Sequence, residues 1–165
     1  MVSETYVECL VAKKPNFGTR LLKTLLIMLT VCFVLIGMLF APGFLIAIVT
    51  GIGAYFAYMN ADIEYEYLYL DKEITIDKVM AKSKRKKAAT YDINHMDILA
   101  PVNSHRLDSY KNRNGKIADY SSGTVEQPDK RYMMVLDGEV RVIFEPNEEM
   151  IKAIQTIAPR KVFND

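Results

Sequence analysis

Hydrophobic and polar positions divide the chain into stretches of different period. Across positions 24–61 there is no Lys, Arg, Asp, Glu or His, and Leu, Ile, Val, Phe, Met and Ala fill most of the run. A helix crossing a hydrocarbon core about 30 Å thick takes about 20 apolar residues at 1.5 Å rise each, so this run holds roughly two crossings. Ala41-Pro42-Gly43 interrupts it. Proline removes a helical N–H and disfavours the helical region for the residue before it, and glycine tolerates the dihedrals of a tight turn. The pattern predicts a transmembrane helical hairpin over 21–60, with helices at 21–40 and 43–59.

Two other readings of the run are weaker. A signal peptide ending after Phe40 would need a shorter polar head without Glu4 and Glu8, a shorter apolar core, and no second apolar run behind it. A buried core hairpin would need far more chain to cover two helices that are apolar all round.

The flanks give the direction. Lys13, Lys14, Arg20 and Lys23 precede the hairpin, Lys82, Lys84, Arg85, Lys86 and Lys87 follow it, and the turn between the helices carries no charge. The positive-inside bias then predicts a multi-pass cell-membrane protein with both termini cytoplasmic. Phe17, Arg20 and Lys23 where the hairpin begins and Tyr55, Phe56 and Tyr58 where it ends stand where interfacial anchors belong. Gly43, Ala47, Gly51 and Ala54 form a stripe of small residues that would let the second helix approach the first near Gly37. Small residues are also simply common in membrane helices.

After Ala61 the period changes to two. Ile63, Tyr65, Tyr67 and Tyr69 alternate with Glu64, Glu66, Leu68 and Leu70, which predicts a strand leaving the membrane almost without linker. Asp71-Lys72 reads as a turn. A second strand holds Ile74, Ile76, Val79 and Ala81, with a bulge or bend near Asp77 suggested by its change of phase. The basic stretch 82–87 reads as a loop, followed by a strand with Ala89, Tyr91 and Ile93, another with Met96, Ile98 and Leu99, and a weaker one with Ile117, Ala118 and Tyr120. Positions 103–130 are polar and loop-like. The strongest hairpin is 132–144, because Asp137-Gly138 suits the positive dihedrals of a type I′ turn. Pro146 and Asn147 open an amphipathic helix with Glu148 and Glu149 in its first turn and Met150, Ile151, Ile154 and Ile157 on its apolar stripe, which Pro159 ends.

The organisation expected is a cytoplasmic head (1–20), the hairpin (21–60) and a cytoplasmic domain (61–165). The fold class is α+β. About seven short strands and a last helix give the element order of a pleckstrin-homology-like antiparallel barrel, with a β-sandwich as the other arrangement.

Four segments carry a resemblance. They are Tyr6-Val7-Glu8-Cys9-Leu10-Val11, Asp62-Ile63-Glu64-Tyr65-Glu66-Tyr67-Leu68-Tyr69, the run from Ile76 through Arg85 to Lys86, and Ala100-Pro101-Val102 through Leu107-Asp108-Ser109-Tyr110. In these the chain resembles a family of small bacterial membrane proteins classed as a domain of unknown function, over nearly its whole length. The resemblance implies a two-helix membrane protein with a cytoplasmic domain, and it brings no reaction, ligand or active-site residue with it.

Composition narrows the chemistry. The formal net charge of +1 is not the footprint of a general nucleic-acid binder. Cys9 in the head and Cys32 in the first helix are not placed to form a disulfide, and no CxxC spacing exists, which fits a reducing cytoplasmic side. Ser104-His105 with Asp108, and His95 with Asp97, are the only groupings that suggest catalysis. No GxSxG elbow, HExxH or Walker-type loop supports them, so neither an enzyme nor a metal or other cofactor site is expected.

The sharpest candidate site is the cationic set Lys82, Lys84, Arg85, Lys86 and Lys87, for anionic lipid headgroups or a protein partner. Each such cation near an anionic surface contributes about 1 kcal/mol. The competing role is to enforce topology alone. Tyr65, Tyr67 and Tyr69, with Tyr132, Met133 and Met134, read as strand core before they read as a binding patch, and the 103–130 loop is a second partner surface. The function expected is a membrane-anchored interaction module at the inner leaflet. The alternative is an accessory subunit of a membrane complex that binds through its hairpin.

Overall fold

The structure is a computed structural model that describes residues 6–164. It divides into two compact units: Lys14–Ile63 with Val79–Lys84, and the remainder of the described chain.

The first unit is built on two helices, α1 (Phe17–Leu39) and α2 (Pro42–Ala61), each long and apolar enough to cross a membrane. Helix α1 starts four positions before the expected 21. Asn16 is extended and its carbonyl accepts the first helical bond from the Arg20 N–H at 3.1 Å, so the helix begins as soon as Pro15 is passed. Pro42 stands in the first turn of α2, where its missing N–H has no helical partner to lose. The helices pair in antiparallel register from the turn outward. Gly51 faces Thr30, Gly53 faces Leu26, and the Lys23 ammonium lies 4.5 Å from the centre of the Tyr58 ring.

At the turn the backbones nearly touch. A Cβ on Gly43 would lie 2.7 Å from the Gly37 nitrogen, and one on Gly37 would lie 2.9 Å from the Phe44 backbone and ring. Gly37, Gly43, Ala47 and Ala54 are buried, and Gly51 is half-buried.

The second unit holds eight strands in two four-stranded sheets. The first sheet runs in the order β1 (Val7–Lys13), β2 (Ile63–Leu70), β3 (Glu73–Met80), β4 (Lys84–Asp92). In the second, β5 (Met96–Pro101) pairs with β7 (Tyr132–Leu136), β7 with β8 (Val140–Phe144), and β8 with β6 (Lys116–Asp119). A single turn of helix, α3 (Asp108–Lys111), lies in the connection before β6, and α4 (Glu148–Ile157) follows β8.

Three of these findings depart from the sequence reading. The sheets stay open, with no closed barrel among the described residues. β6 runs parallel to β8, so the second sheet is mixed. Part of the head, Val7–Lys13, for which no element was expected, is the edge strand of the first sheet. Strand β3 is continuous through Asp77, and its buried positions change phase there, from Ile74 and Ile76 to Val79.

Alternation explains the core. Tyr65, Tyr67 and Tyr69 of β2 and Ile74 and Ile76 of β3 turn inward and are almost fully buried. Tyr67 meets Phe144 of β8 edge-on, with ring centres 5.5 Å apart, and its hydroxyl donates to the Tyr120 carbonyl at 2.6 Å. One side chain thus ties the two sheets through both its apolar and its polar part. Burial drives the Tyr67 phenol well above its ordinary pKa, so it stays a donor at any physiological pH. Helix α4 is capped by the Asn147 carboxamide, which accepts the Met150 N–H at 2.9 Å, and it buries Met150, Ile151, Ala153 and Ile154.

The Gly37–Gly43 contact sets an expectation. Gly43→Ala should lower the stability of the helical hairpin by about 1–3 kcal/mol through overpacking. Gly51→Ala should be neutral, because the added methyl would meet Thr30 Cγ2 at an ordinary 3.6 Å. Thermal unfolding of the two variants in detergent, followed by circular dichroism, checks this, and equal midpoints would remove the close approach as a constraint.

Candidate functional site

The cationic stretch does not form a loop. Ala81 and Lys82 adopt positive φ of 48° and 53°, the Ser83 N–H bonds the Met80 carbonyl at 3.2 Å, and the chain reverses in two residues. Lys84, Arg85, Lys86 and Lys87 therefore already belong to β4. The run of like charge suggested a loop, yet β4 is an edge strand, and lysines on an exposed edge keep it from pairing with other strands.

The turn has a fixed neighbour. The Ala81 N–H donates to the carbonyl of Asp62, the residue that caps α2, at 2.7 Å. Exposed Lys82 and Lys84 thus stand at the end of α2 where Tyr58 meets Lys23. Exposed Lys14 and Arg20 belong to the same end of the antiparallel pair. Phe17 and Tyr55 are exposed there too, and Tyr55 packs edge-on against Phe56 with centres 5.9 Å apart.

Arg85 is spent differently from its neighbours. Its Nη2 donates to Glu66 Oε1 at 2.9 Å and lies 2.8 Å from Oε2, although too obliquely to hydrogen-bond that oxygen. Lys82, Lys84, Lys86 and Lys87 make no ion pair among the described residues.

Glu66 is the least expected residue of the site, because its strand position faces away from the tyrosine core and yet it is only 2% exposed. Glu8 of β1 covers it, and the two carboxyl groups share a hydrogen bond. Burial raises the Glu66 pKa, with the bond to Glu8 as the next cause. Glu8 is held below its ordinary value, by that bond first and by the Tyr6 hydroxyl second, which donates to Oε2 at 2.8 Å. Sequence alternation marks Glu66 as solvent-facing, and only the pairing of β1 with β2 reveals its burial.

Several of the residues that suggested catalysis make local hydrogen bonds and ion pairs. The Asp97 carboxylate accepts the Gly138 N–H at 2.6 Å, and the His95 ring lies 3.2 Å from Asp137, so both hold the β7–β8 turn. The Ser104 hydroxyl accepts the Arg106 N–H at 3.3 Å, and Asp108 pairs with Lys111 at 3.0 Å. Tyr65, Tyr67, Tyr69, Met133 and Met134 are core, while Tyr132 is half-buried. Among the described residues no group of three His, Cys, Asp or Glu could hold a metal ion.

Two open sheets followed by a C-terminal helix define a pleckstrin-homology-like domain, here with two long apolar helices between its first and second strands. Residues 3–164 match a family model described as a bacterial PH-like domain (DUF6106), and the chain belongs to that family, whose function is unknown. No curated protein and no solved structure matches the chain.

The Glu66 environment gives a pH test. A carboxyl whose folded pKa is raised adds stability below its unfolded value of about 4.5 and loses it as pH rises through the folded value. Glu66→Gln removes that term. The melting temperature of Glu66→Gln minus that of the wild type should therefore rise between pH 4 and pH 7, and a fall over this interval would contradict burial as the dominant cause.

Proposed function

We propose that the chain is an integral membrane protein that presents its PH-like domain on the cytoplasmic side, and that its free lysines engage anionic headgroups of that leaflet. The observation that carries this reading is the hydrogen bond from Ala81 to Asp62. It holds the cationic turn at the end of an apolar helix, where headgroups would lie if the helix crosses a bilayer. Lys82, Lys84, Lys14 and Arg20 then act as one ring of charge around one end of the hairpin, with Phe17, Tyr55 and Tyr58 as its aromatic partners.

Strand order supports the topology independently of charge. β1 ends at Lys13 and α1 begins at Phe17, while α2 ends at Ala61 and β2 begins at Ile63. β1 and β2 are neighbours in one sheet, so the two ends of the hairpin emerge on the same side of any membrane it crosses. An excess of lysine and arginine at those ends selects the cytoplasmic side.

Two measurements test the reading. An epitope tag on either terminus should resist protease added to spheroplasts and be cleaved after lysis, whereas cleavage of either tag in intact spheroplasts would reverse the topology. Native mass spectrometry of the full chain in a nonionic detergent should find more retained phosphatidylglycerol than phosphatidylcholine. Replacing Lys82, Lys84, Lys86 and Lys87 by Gln should reduce the difference, since each cation contributes about 1 kcal/mol and Lys14 and Arg20 remain. An unchanged preference would reduce these lysines to topology signals and edge protection.

A further inference from the structure

Four strands stand at the edges of the two sheets, and three of them are guarded. Lys84 to Lys87 charge the β4 edge. The chain at 161–163 covers β5, where the Leu99 N–H donates to the Lys161 carbonyl and the Phe163 N–H to the Leu99 carbonyl, each at 2.8 Å. β6 has only four residues. Each device keeps an edge from adding further strands. β1 is left open in its middle: it has seven residues, its charges Glu8 and Lys13 stand near its ends, and Cys9-Leu10-Val11-Ala12 between them is uncharged. It pairs with β2 alone, so its outer backbone groups have no strand partner among the described residues.

A concavity of about 780 Å³ lies against that open stretch, and Cys9, Leu10, Val11 and Ala12 all line it. Side chains alternate between the two faces of a strand, so a hollow lined by four successive residues runs along the edge. The segment 122–130 forms its far wall and is held by its own bonds. Ser122 donates through its N–H and its hydroxyl to Glu145 Oε1 at 2.8 and 2.6 Å, and Arg131 makes three bonds to Asp129 at the other end. The wall thus stands beside β1 without pairing to it.

The lining narrows the chemistry of an occupant. Leu10 is 54% exposed, and Ile151 and half-buried Tyr132 add apolar surface to the hollow. Glu126, Asp129, Glu145 and Glu148 line it against Lys130 alone, so its field favours cations. Glu126 and Glu148 approach Lys130 and Lys152 only to 3.5 and 3.6 Å on exposed surface, pairs of little strength.

We propose that the β1 edge takes up an extended segment of a partner protein, bonded main chain to main chain along Cys9 to Ala12 and carrying both apolar and basic side chains. Backbone N–H and C=O groups at strand spacing are matched in full by another extended chain. Apolar side chains of the segment meet Leu10 and Ile151, and basic ones meet Glu126 and Glu148. A bare strand pairs weakly by itself, and the far wall supplies the contacts it lacks. The site shares no residue with the cations assigned to lipid, and either assignment can fail alone.

The test uses the full chain in nanodiscs of zwitterionic phosphatidylcholine, with empty nanodiscs as the baseline. The probe is a fluorescein-labelled peptide of roughly eight residues, the length of a strand, alternating valine with lysine in its first half and with threonine in its second. Two isomers carry backbone N-methyl groups, one on every valine and the other on every lysine and threonine. Neighbouring residues of a strand point their N–H groups to opposite edges, so only one isomer loses the donors that face β1. Fluorescence anisotropy should give that isomer a Kd at least about tenfold above that of the unmethylated peptide, the other isomer staying within about twofold.

Leu10→Lys, which copies the guard of β4, should weaken binding by about threefold or more. Glu126→Gln with Glu148→Gln should weaken it by about threefold, and less as salt rises. These side chains are exposed, so the variants keep the fold, and matching melting curves verify that. Asp71→Asn with Glu73→Gln, at the turn from β2 to β3, should leave the Kd unchanged. Binding no tighter than to empty nanodiscs, equal Kd values for all three peptides, or an equal loss in the Asp71 and Glu73 variant would overturn the site. A dimer in light scattering that Leu10→Lys dissociates would assign the edge to a second copy of the chain and overturn the partner segment.

Discussion

Pairing of β1 with β2 closes a loop whose whole content is the helical hairpin. A flexible insert between two neighbouring strands would add entropy to the closure, rising slowly with its length. This insert is folded back on itself, with Gly37 against Gly43 at one end and Lys23 over Tyr58 at the other, so its two ends return together. Only residues 14–16 and Asp62 join it to the strands. The burial of Glu66 beneath Glu8 depends on this closure, since the two residues stand on opposite sides of the insert. The same closure fixes which ends of the helices carry the lysines.

Strand β2 serves both faces of its sheet. Tyr65, Tyr67 and Tyr69 look into the core, where Tyr67 bridges to Phe144 and Tyr120, while Glu66 looks outward to Arg85 and Glu8. Tyr67 and Glu66 are adjacent in sequence, so the position of the carboxylate is set by the anchored ring beside it. Rigidity at the outward face thus originates in aromatic packing on the inward one.

Local signals were legible in the sequence. The uncharged run, Pro42 at the helix break, Asp137-Gly138 and the Asn147 cap each act within a few residues, and each appears where its chemistry predicts it. Pairings between distant residues were not. Val7–Lys13 alternates weakly and sits before a strongly apolar run, so it read as a flank, and nothing local reveals its partner. The mixed second sheet was hidden because β6 crosses to β8 rather than to a sequence neighbour. The stretch from Lys82 to Lys87 was read as a loop from its charge, whereas the reversal is set by positive φ at Ala81 and Lys82, which neither residue type advertises. The surroundings of Glu66 draw on β1 through Glu8 and on β4 through Arg85, so no window of sequence contains them.

The interrupted sheet also imposes an order in time. β1 leaves the ribosome before the helices, and its partner among the described strands is made after both of them. Until then the strand has one bare edge more than the finished protein and nothing to bury Val7 against. Glu8, Lys13 and the short length of the strand keep this waiting segment soluble and poor at pairing with other chains. Completion of the first sheet is therefore a late event by construction, and a folded domain records that the entire hairpin has already been synthesised.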